Sequence, residues 1–176
     1  MNLPELFVER TRRLMGEEMC NALCEALEQQ DTPVSVRMNT AKWEHVPAHR
    51  SEVPWSEQGY YLDGRPTFTV DPLLHAGCYY VQEASSMLVE QALRPYVTEP
   101  SVMLDLCAAP GGQSTLCRSV LPEGSLLVAN EVMRNRSQVL AENLVKWGHP
   151  EVIVTNNDPA DFTPLENTFD VMLTDV

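Results

Sequence analysis

The chain has 176 residues, 44% of them hydrophobic, and 12 basic against 25 acidic side chains give it a net charge of −13. That apolar fraction excludes a disordered chain, and no apolar run approaches the roughly 18 residues needed to span a bilayer. The acidity removes charge as an argument for nucleic-acid binding, because a chain that grips phosphates unaided carries a basic footprint.

The length suits one domain, or one and a half small ones. Met1-Asn2-Leu3-Pro4-Glu5 lacks the basic start and apolar core of a signal peptide. Five cysteines without framework spacing read as reduced thiols, which places the protein in the cytoplasm.

Residues 3–30 read as helix. Leu6, Arg10, Arg13 and Leu14, then Met19, Leu23, Ala26 and Leu27, recur at spacings of three and four, with Gly16 as a break. Cys20 and Cys24 share one helix face, but no third or fourth ligand follows, so they read as small core residues and no metal is expected. Asp31-Thr32-Pro33 ends the helix, and Val34 to Asn39 alternates as a strand. Arg37 is either solvated on that strand's outer face or a phosphate contact. Residues 41–58 read as loop with short extended pieces. His45 and His49 within it read as surface residues.

Gly59 to Leu62 is a short strand, Asp63-Gly64 a turn, and Phe68-Thr69-Val70 a partner strand. A small α+β unit is thus expected over 1–70, with a second domain over 71–176. Gly77 to Glu83 is strand-like, and Ala84-Ser85-Ser86 caps a helix from Ser86 to Leu93. Tyr79 and Tyr80 could stack bases or pack in a core.

From residue 101 the pattern becomes regular. Strands at 101–106, 125–130, 152–155 and 169–175 alternate with helices at 112–120 and 132–148. Val139, Leu140, Leu144, Val145 and Trp147 mark the apolar side of the second helix. This pattern predicts an α/β, doubly wound parallel sheet. Between the first strand and helix lies Cys107-Ala108-Ala109-Pro110-Gly111-Gly112-Gln113. Pro lacks the ladder donor and Gly adopts positive φ freely, so the strand must turn there. A strand, a glycine turn and a helix N-terminus let backbone approach a ligand closely.

Three of the strands finish on an acid: Glu131, Asp158 and Asp175. The carboxyl ends of strands line the ligand crevice of an open α/β sheet. Acids there suit a ribose diol at Glu131 and a base edge at Asp158. They would repel a pyrophosphate, and the turn is not G-x-G-x-x-G. S-adenosylmethionine has no phosphate and carries a sulfonium and an ammonium, so it suits this crevice better than a dinucleotide does.

Tyr80-Val81-Gln82-Glu83-Ala84-Ser85-Ser86-Met87 followed by Leu104 to Thr115, with its C-A-A-P-G-G core, resembles the NOL/NOP/Sun family of RNA cytosine-5 methyltransferases. Ala129-Asn130-Glu131 with Arg136, then Asn157-Asp158 and Leu173-Thr174-Asp175, follow at the family's spacing, and Pro33 to Lys42 resembles its upstream segment. The look is of the bacterial members that modify 16S ribosomal RNA. The resemblance implies a Rossmann-like S-adenosylmethionine-dependent methyltransferase sheet, of which this chain carries the first four strands, behind a small α+β domain. It implies cofactor contacts at Cys107, Ala108, Ala109, Pro110, Gly111, Gly112 and Gln113. Glu131 would hold the ribose, Asp158 would sit by the adenine, Asp175 would face the reacting centre, and Arg136 would orient Glu131. Gln113 departs from the family's usual lysine.

The family's chemistry needs a thiolate to attack carbon 6 of cytosine and a second cysteine to assist release. Both family positions lie beyond Val176, and Cys107 belongs to the cofactor loop. The expectation is therefore an N-terminal part of an rRNA (cytosine-5) methyltransferase: no catalytic residue of its own, inactive alone, RNA (16S rRNA or the small ribosomal subunit) as partner, and self-association through an exposed fourth strand. The competing readings are a non-catalytic module that binds cofactor or a partner, and a methyltransferase acting on another RNA or on protein.

Overall fold

The computed structural model describes residues 3–29, 33–45 and 50–175, and it divides into two compact units, 1–33 and 34–176. In the first unit, α1 (Glu5–Met15) and α2 (Glu17–Gln29) are separated by Gly16, whose φ is +83°. Cys20 is buried and its thiol donates to the Val8 carbonyl at 3.5 Å, so it packs as a core residue. The expected helix end at Asp31 and Thr32 falls outside the described residues, as does His49.

The second unit contains two sheets. The first is antiparallel, in the order β2-β3-β1-β4, from β1 (Val34–Met38), β2 (Arg50–Glu52), β3 (Gly59–Leu62) and β4 (Tyr79–Val81). Its fourth strand comes from beyond residue 70, where the sequence suggested that the small domain ends. Phe68–Val70 is a turn of 3-10 helix, not a strand. It runs into α3 (Pro72–His75), where Asp71 accepts from the Leu73 N–H at 2.9 Å. A capping aspartate followed by proline starts a helix at once, and that local chemistry overrides the β-propensity of Phe68-Thr69-Val70.

β1 is central and buried on both faces. Val36 and Met38 point to one side, and Arg37 and Asn39 to the other. Arg37 is neither solvated nor free for phosphate: it is 1% exposed. Its Nε donates to Gln82 Oε1 at 2.9 Å, Nη2 to Thr115 Oγ1 at 2.6 Å and Nη1 to Ser119 Oγ at 3.3 Å, and its guanidinium lies 4.4 Å from the centre of the Trp147 ring. Burial pulls its pKa down to about 10, which leaves it charged at neutral pH. Asn39 completes the joint by donating to the carbonyls of Gly77 (3.0 Å) and Trp147 (2.9 Å).

Past β4, a 3-10 turn (Ser85–Leu88) leads into α4 (Val89–Leu93), so the helix expected from Ser86 becomes a true α-helix only at Val89. The second sheet is parallel. It is built from β5 (Val102–Asp105), α5 (Gly112–Val120), β6 (Leu126–Asn130), α6 (Arg134–Trp147), β7 (Val152–Thr155) and β8 (Val171–Leu173), in strand order β7-β6-β5-β8. This is the predicted parallel sheet of alternating strands and helices, with α5 and α6 both on one face, and the strand order reverses between β5 and β8. The β7–β8 connection departs from strict alternation, carrying only a 3-10 turn at Pro159–Phe162.

One sheet face is covered: Met103 and Leu127 pack with Leu116 and Cys117 of α5, and Ala129 packs with Leu140 and Leu144 of α6. On the opposite face Leu104 is fully buried, while its row-mates Ile153 and Met172 are 47% and 57% exposed. Val139 and Val145, expected on the apolar side of α6, are exposed, because the face that meets the sheet is set by Leu140, Leu144 and Trp147. Tyr79 and Tyr80 are half-buried, the first donating its hydroxyl to Asp71 at 2.7 Å.

Arg37→Lys is expected to lower stability by about 2 kcal/mol, because an ammonium cannot reproduce a fork shared among four groups and strands the Gln82 and Thr115 oxygens in the interior. The check is the urea midpoint of the substituted chain against wild type.

Candidate functional site

The switch point between β5 and β8 places the end of β5, the glycine turn and the start of α5 at one crevice. The turn is held from behind. The carbonyls of Leu106, Ala108, Ala109 and Pro110 accept from Asn130 Nδ2 (3.1 Å), the Gly111 N–H (2.8 Å), Arg136 Nη2 (2.6 Å) and Asn143 Nδ2 (2.8 Å). With these four acceptors committed, the N–H groups of the turn and of the first turn of α5 are the groups it can offer to a ligand. Gly111 sits at φ +108°, a conformation that calls for glycine, and a Cβ there would stand 3.3 Å from the end of the Leu140 side chain.

Of the residues singled out in sequence, Cys107 through Gln113 form this turn and the first residues of α5. Ala108, Ala109 and Gly111 are buried, Cys107, Gly112 and Gln113 half-buried, and Pro110 exposed. Gln113 Nε2 donates to the Ser86 carbonyl at 3.0 Å, leaving its buried Oε1 without a donor.

Glu131 follows β6 and is 2% exposed. Its Oε1 accepts from the Met133 N–H at 2.9 Å. Its Oε2 is buried and accepts no hydrogen bond, although Arg136 Nη1 lies 3.4 Å away as an ion pair. A half-satisfied buried carboxylate is a place where ligand hydroxyls can bind. Arg136 thus bridges Glu131 and the turn. Asp158 and Asp175 are exposed, and Asp158 Oδ1 also caps the 3-10 turn through the Ala160 N–H at 2.9 Å.

Three further side chains shape the site. Asn130, fully buried, accepts from Thr155 Oγ1 (2.8 Å) and the Asn157 N–H (3.0 Å) and so ties the ends of β6 and β7 to the turn. Asp105, 1% exposed, accepts from Ser114 Oγ at 2.6 Å. Burial pushes its pKa up to about 6, and the negative charge of Asp175 adds to the effect. Gln82 packs beside the turn. All three stand in the quoted motifs, but nothing in their spacing separated them from strand and loop residues.

A cavity of about 670 Å³ lies elsewhere, on the antiparallel sheet, against Val36, Met38, Trp43, Phe68 and Tyr79. Its walls are mainly aromatic and aliphatic, and its Asp71 is committed to Tyr79 and to the α3 cap. Convergent polar groups mark the crevice at the glycine turn as the better candidate.

Two family models match in succession. The N-terminal domain of 16S rRNA methyltransferase RsmF covers residues 3–84, and 16S rRNA methyltransferase RsmB/F covers residues 90–176. The chain belongs to the RsmB/F family. Relatives in this family include ribosomal RNA small subunit methyltransferase F of Serratia proteamaculans, 30% identical over 98% of this chain and 39% of its own length. The protein of that name from Vibrio cholerae is 30% identical over 99% of this chain and 40% of its own. The chain therefore spans about two fifths of the length of these relatives. Among solved structures, a methyltransferase homologue from Pyrococcus horikoshii is 27% identical with a TM-score of 0.79, over 97% of this chain and 58% of that one. NSun6 from Pyrococcus horikoshii, solved with SFG, shares the fold with a TM-score of 0.77 at 16% identity, over 98% of this chain and 70% of that one. The RsmB/F relationship accords with a Rossmann-like methyltransferase sheet behind an N-terminal segment, as the sequence implied.

Asp105→Asn is expected to raise stability above pH 6. The native carboxyl holds its proton more tightly than the unfolded one, so wild type loses stability as pH rises through about 6. A rise from the ordinary 3.8 corresponds to about 3 kcal/mol at 1.36 kcal/mol per pH unit. Urea titrations should show the full gap near pH 8, shrinking as pH falls from 6 through 4 and closing only below the ordinary carboxyl value of 3.8, where both states are protonated.

Proposed function

We propose that this chain carries the S-adenosylmethionine half-site of a cytoplasmic rRNA (cytosine-5) methyltransferase acting on 16S rRNA. Residues 1–81, whose antiparallel sheet is completed by β4, would serve as the RNA-facing part, and the parallel sheet that follows as the first half of the methyltransferase domain. The observation that carries this reading is Glu131: a buried carboxylate with one oxygen open, following β6 and tied through Arg136 to the glycine turn. These residues fit the cofactor. Glu131 accepts from a ribose diol, Cys107 through Gln113 wrap the methionyl end, Asp158 lies by the adenine, and the carboxylates of Asp105 and Asp175 face positive charge.

S-adenosylmethionine, when bound, supplies a methyl group activated on a sulfonium. The chain's own part is to bind, orient and neutralise. An Asp105 pKa near 6 leaves that carboxylate mostly ionised at neutral pH, and a cation beside it favours the ionised form further. The thiols of this chain are not placed for attack on a base. Cys20, Cys78 and Cys117 are buried, burial pushes the Cys117 thiol up, Cys24 lies on α2 of the first unit, and Cys107 sits in the turn itself.

Calorimetric titration with S-adenosylhomocysteine tests the reading. Saturable binding is expected, weakened about tenfold or more by Glu131→Gln, which removes a charged acceptor. Absence of saturable binding would count against it. In the same preparations, labelled S-adenosylmethionine and unmodified 16S RNA should give no methyl transfer by these 176 residues. Turnover above background would show that a thiol of this chain does reach the base.

A further inference from the structure

Gln82 follows β4, is 6% exposed and forms no part of the glycine turn. Its carboxamide orientation is fixed. Arg37 has only donors, so the atom 2.9 Å from Arg37 Nε must be Oε1. Nε2 then points the other way. It lies 3.7 Å from where a Cβ on Gly112 would stand, and it has no acceptor. A buried amide donor left open costs free energy unless something accepts from it.

What surrounds Nε2 defines that acceptor. Gly112 begins α5, a nine-residue helix whose first-turn N–H groups have no intrahelical partner and carry the positive end of its dipole. The carbonyls of Leu106, Ala108, Ala109 and Pro110 are all occupied by protein donors. Gln82 Nε2 and the first N–H groups of α5 therefore stand together as open donors on this side of the crevice, with Gln113 Oε1 as an acceptor beside them, whereas Asp105, Asp175 and Glu131 stand at the strand ends. A ligand with a carboxylate at one end of a short chain and positive charge beside it matches that polarity.

We propose that Gln82 Nε2 hydrogen-bonds the α-carboxylate of the methionyl end of the cofactor, together with the N–H groups at the start of α5. The proposal rests on the cofactor reading above. Arg37 acts one step behind, as a positioning residue that turns the carboxamide so that its donor faces the ligand.

The test compares two ligands and two proteins by calorimetry, using the whole 176-residue chain. The ligands are S-adenosylhomocysteine and its decarboxylated analogue, which keeps the adenosine, thioether and amine. Gln82→Glu keeps an acceptor toward Arg37 but replaces the donor with a negative charge. It should weaken S-adenosylhomocysteine about ten- to a hundredfold. The analogue should change by less than about twofold, within the spread of a contact it never makes. Equal weakening of both ligands, or unchanged affinity for both, would overturn the role of Gln82 while leaving the cofactor site standing. If Gln82→Glu does not fold, wild type alone decides: equal affinity for the two ligands overturns the carboxylate contact. No saturable binding of either ligand by wild type overturns the cofactor reading and this proposal with it.

Discussion

The second unit depends on a buried cation that has no carboxylate at ion-pair distance among the described residues. Arg37 is enclosed by a carboxamide, two hydroxyls and an indole face. Removing a guanidinium from water is costly, and only a full set of well-placed acceptors offsets it. Those acceptors come from β4, from α5 and from α6. The antiparallel sheet and the parallel sheet are therefore brought together by the demands of one side chain. Asn39, two residues on and on the same face, takes the carbonyl of Trp147, whose ring stacks on Arg37. Gly77 lies in the same joint, where a Cβ would stand 1.8 Å from the Lys146 carbonyl oxygen. The joint is polar and leaves no room for a methyl group.

The same joint positions the crevice. Thr115 lies one turn into α5, and its hydroxyl receives Arg37 while also donating to the Gly112 carbonyl at 3.0 Å. The start of α5 is thus fixed from the antiparallel sheet, the turn before it from α6 through Arg136 and Asn143, and the strand end before that from Asn130. A turn supported from three elements has little freedom left to lose, which is the preorganisation that favours affinity for any ligand it takes.

The regular half of the chain was legible in sequence because its signals are local. Apolar runs such as Leu126 to Ala129 make buried strands, and Gly111 and Gly148 mark the start and end of helices. The glycine turn and the strand-end acids were legible for the same reason. Most of what escaped was set by distant partners, and one element by its immediate neighbours. Arg37 reads as a surface charge until β4, α5 and α6 are folded around it. Phe68 to Val70 reads as a strand until Asp71 and Pro72 start a helix. Asn130 and Gln82 look like ordinary polar residues, because an amide declares its role only through the groups on both of its ends. Val139 and Val145 misled by composition: an apolar residue on a helix need not face the core.

The alternation within β1 has one more effect. Val36 and Met38 face an apolar cavity, whereas Arg37 and Asn39 face the joint. A slip of one residue against β3 or β4 would reverse both faces together. It would drive a guanidinium against Trp43 and Phe68 and leave valine and methionine opposite the hydroxyls of α5. Flat apolar strands tolerate such misalignment, but this one cannot. The costly buried pair therefore works as a key for strand alignment, selecting one pairing of the antiparallel sheet over its neighbours whether or not it adds to net stability.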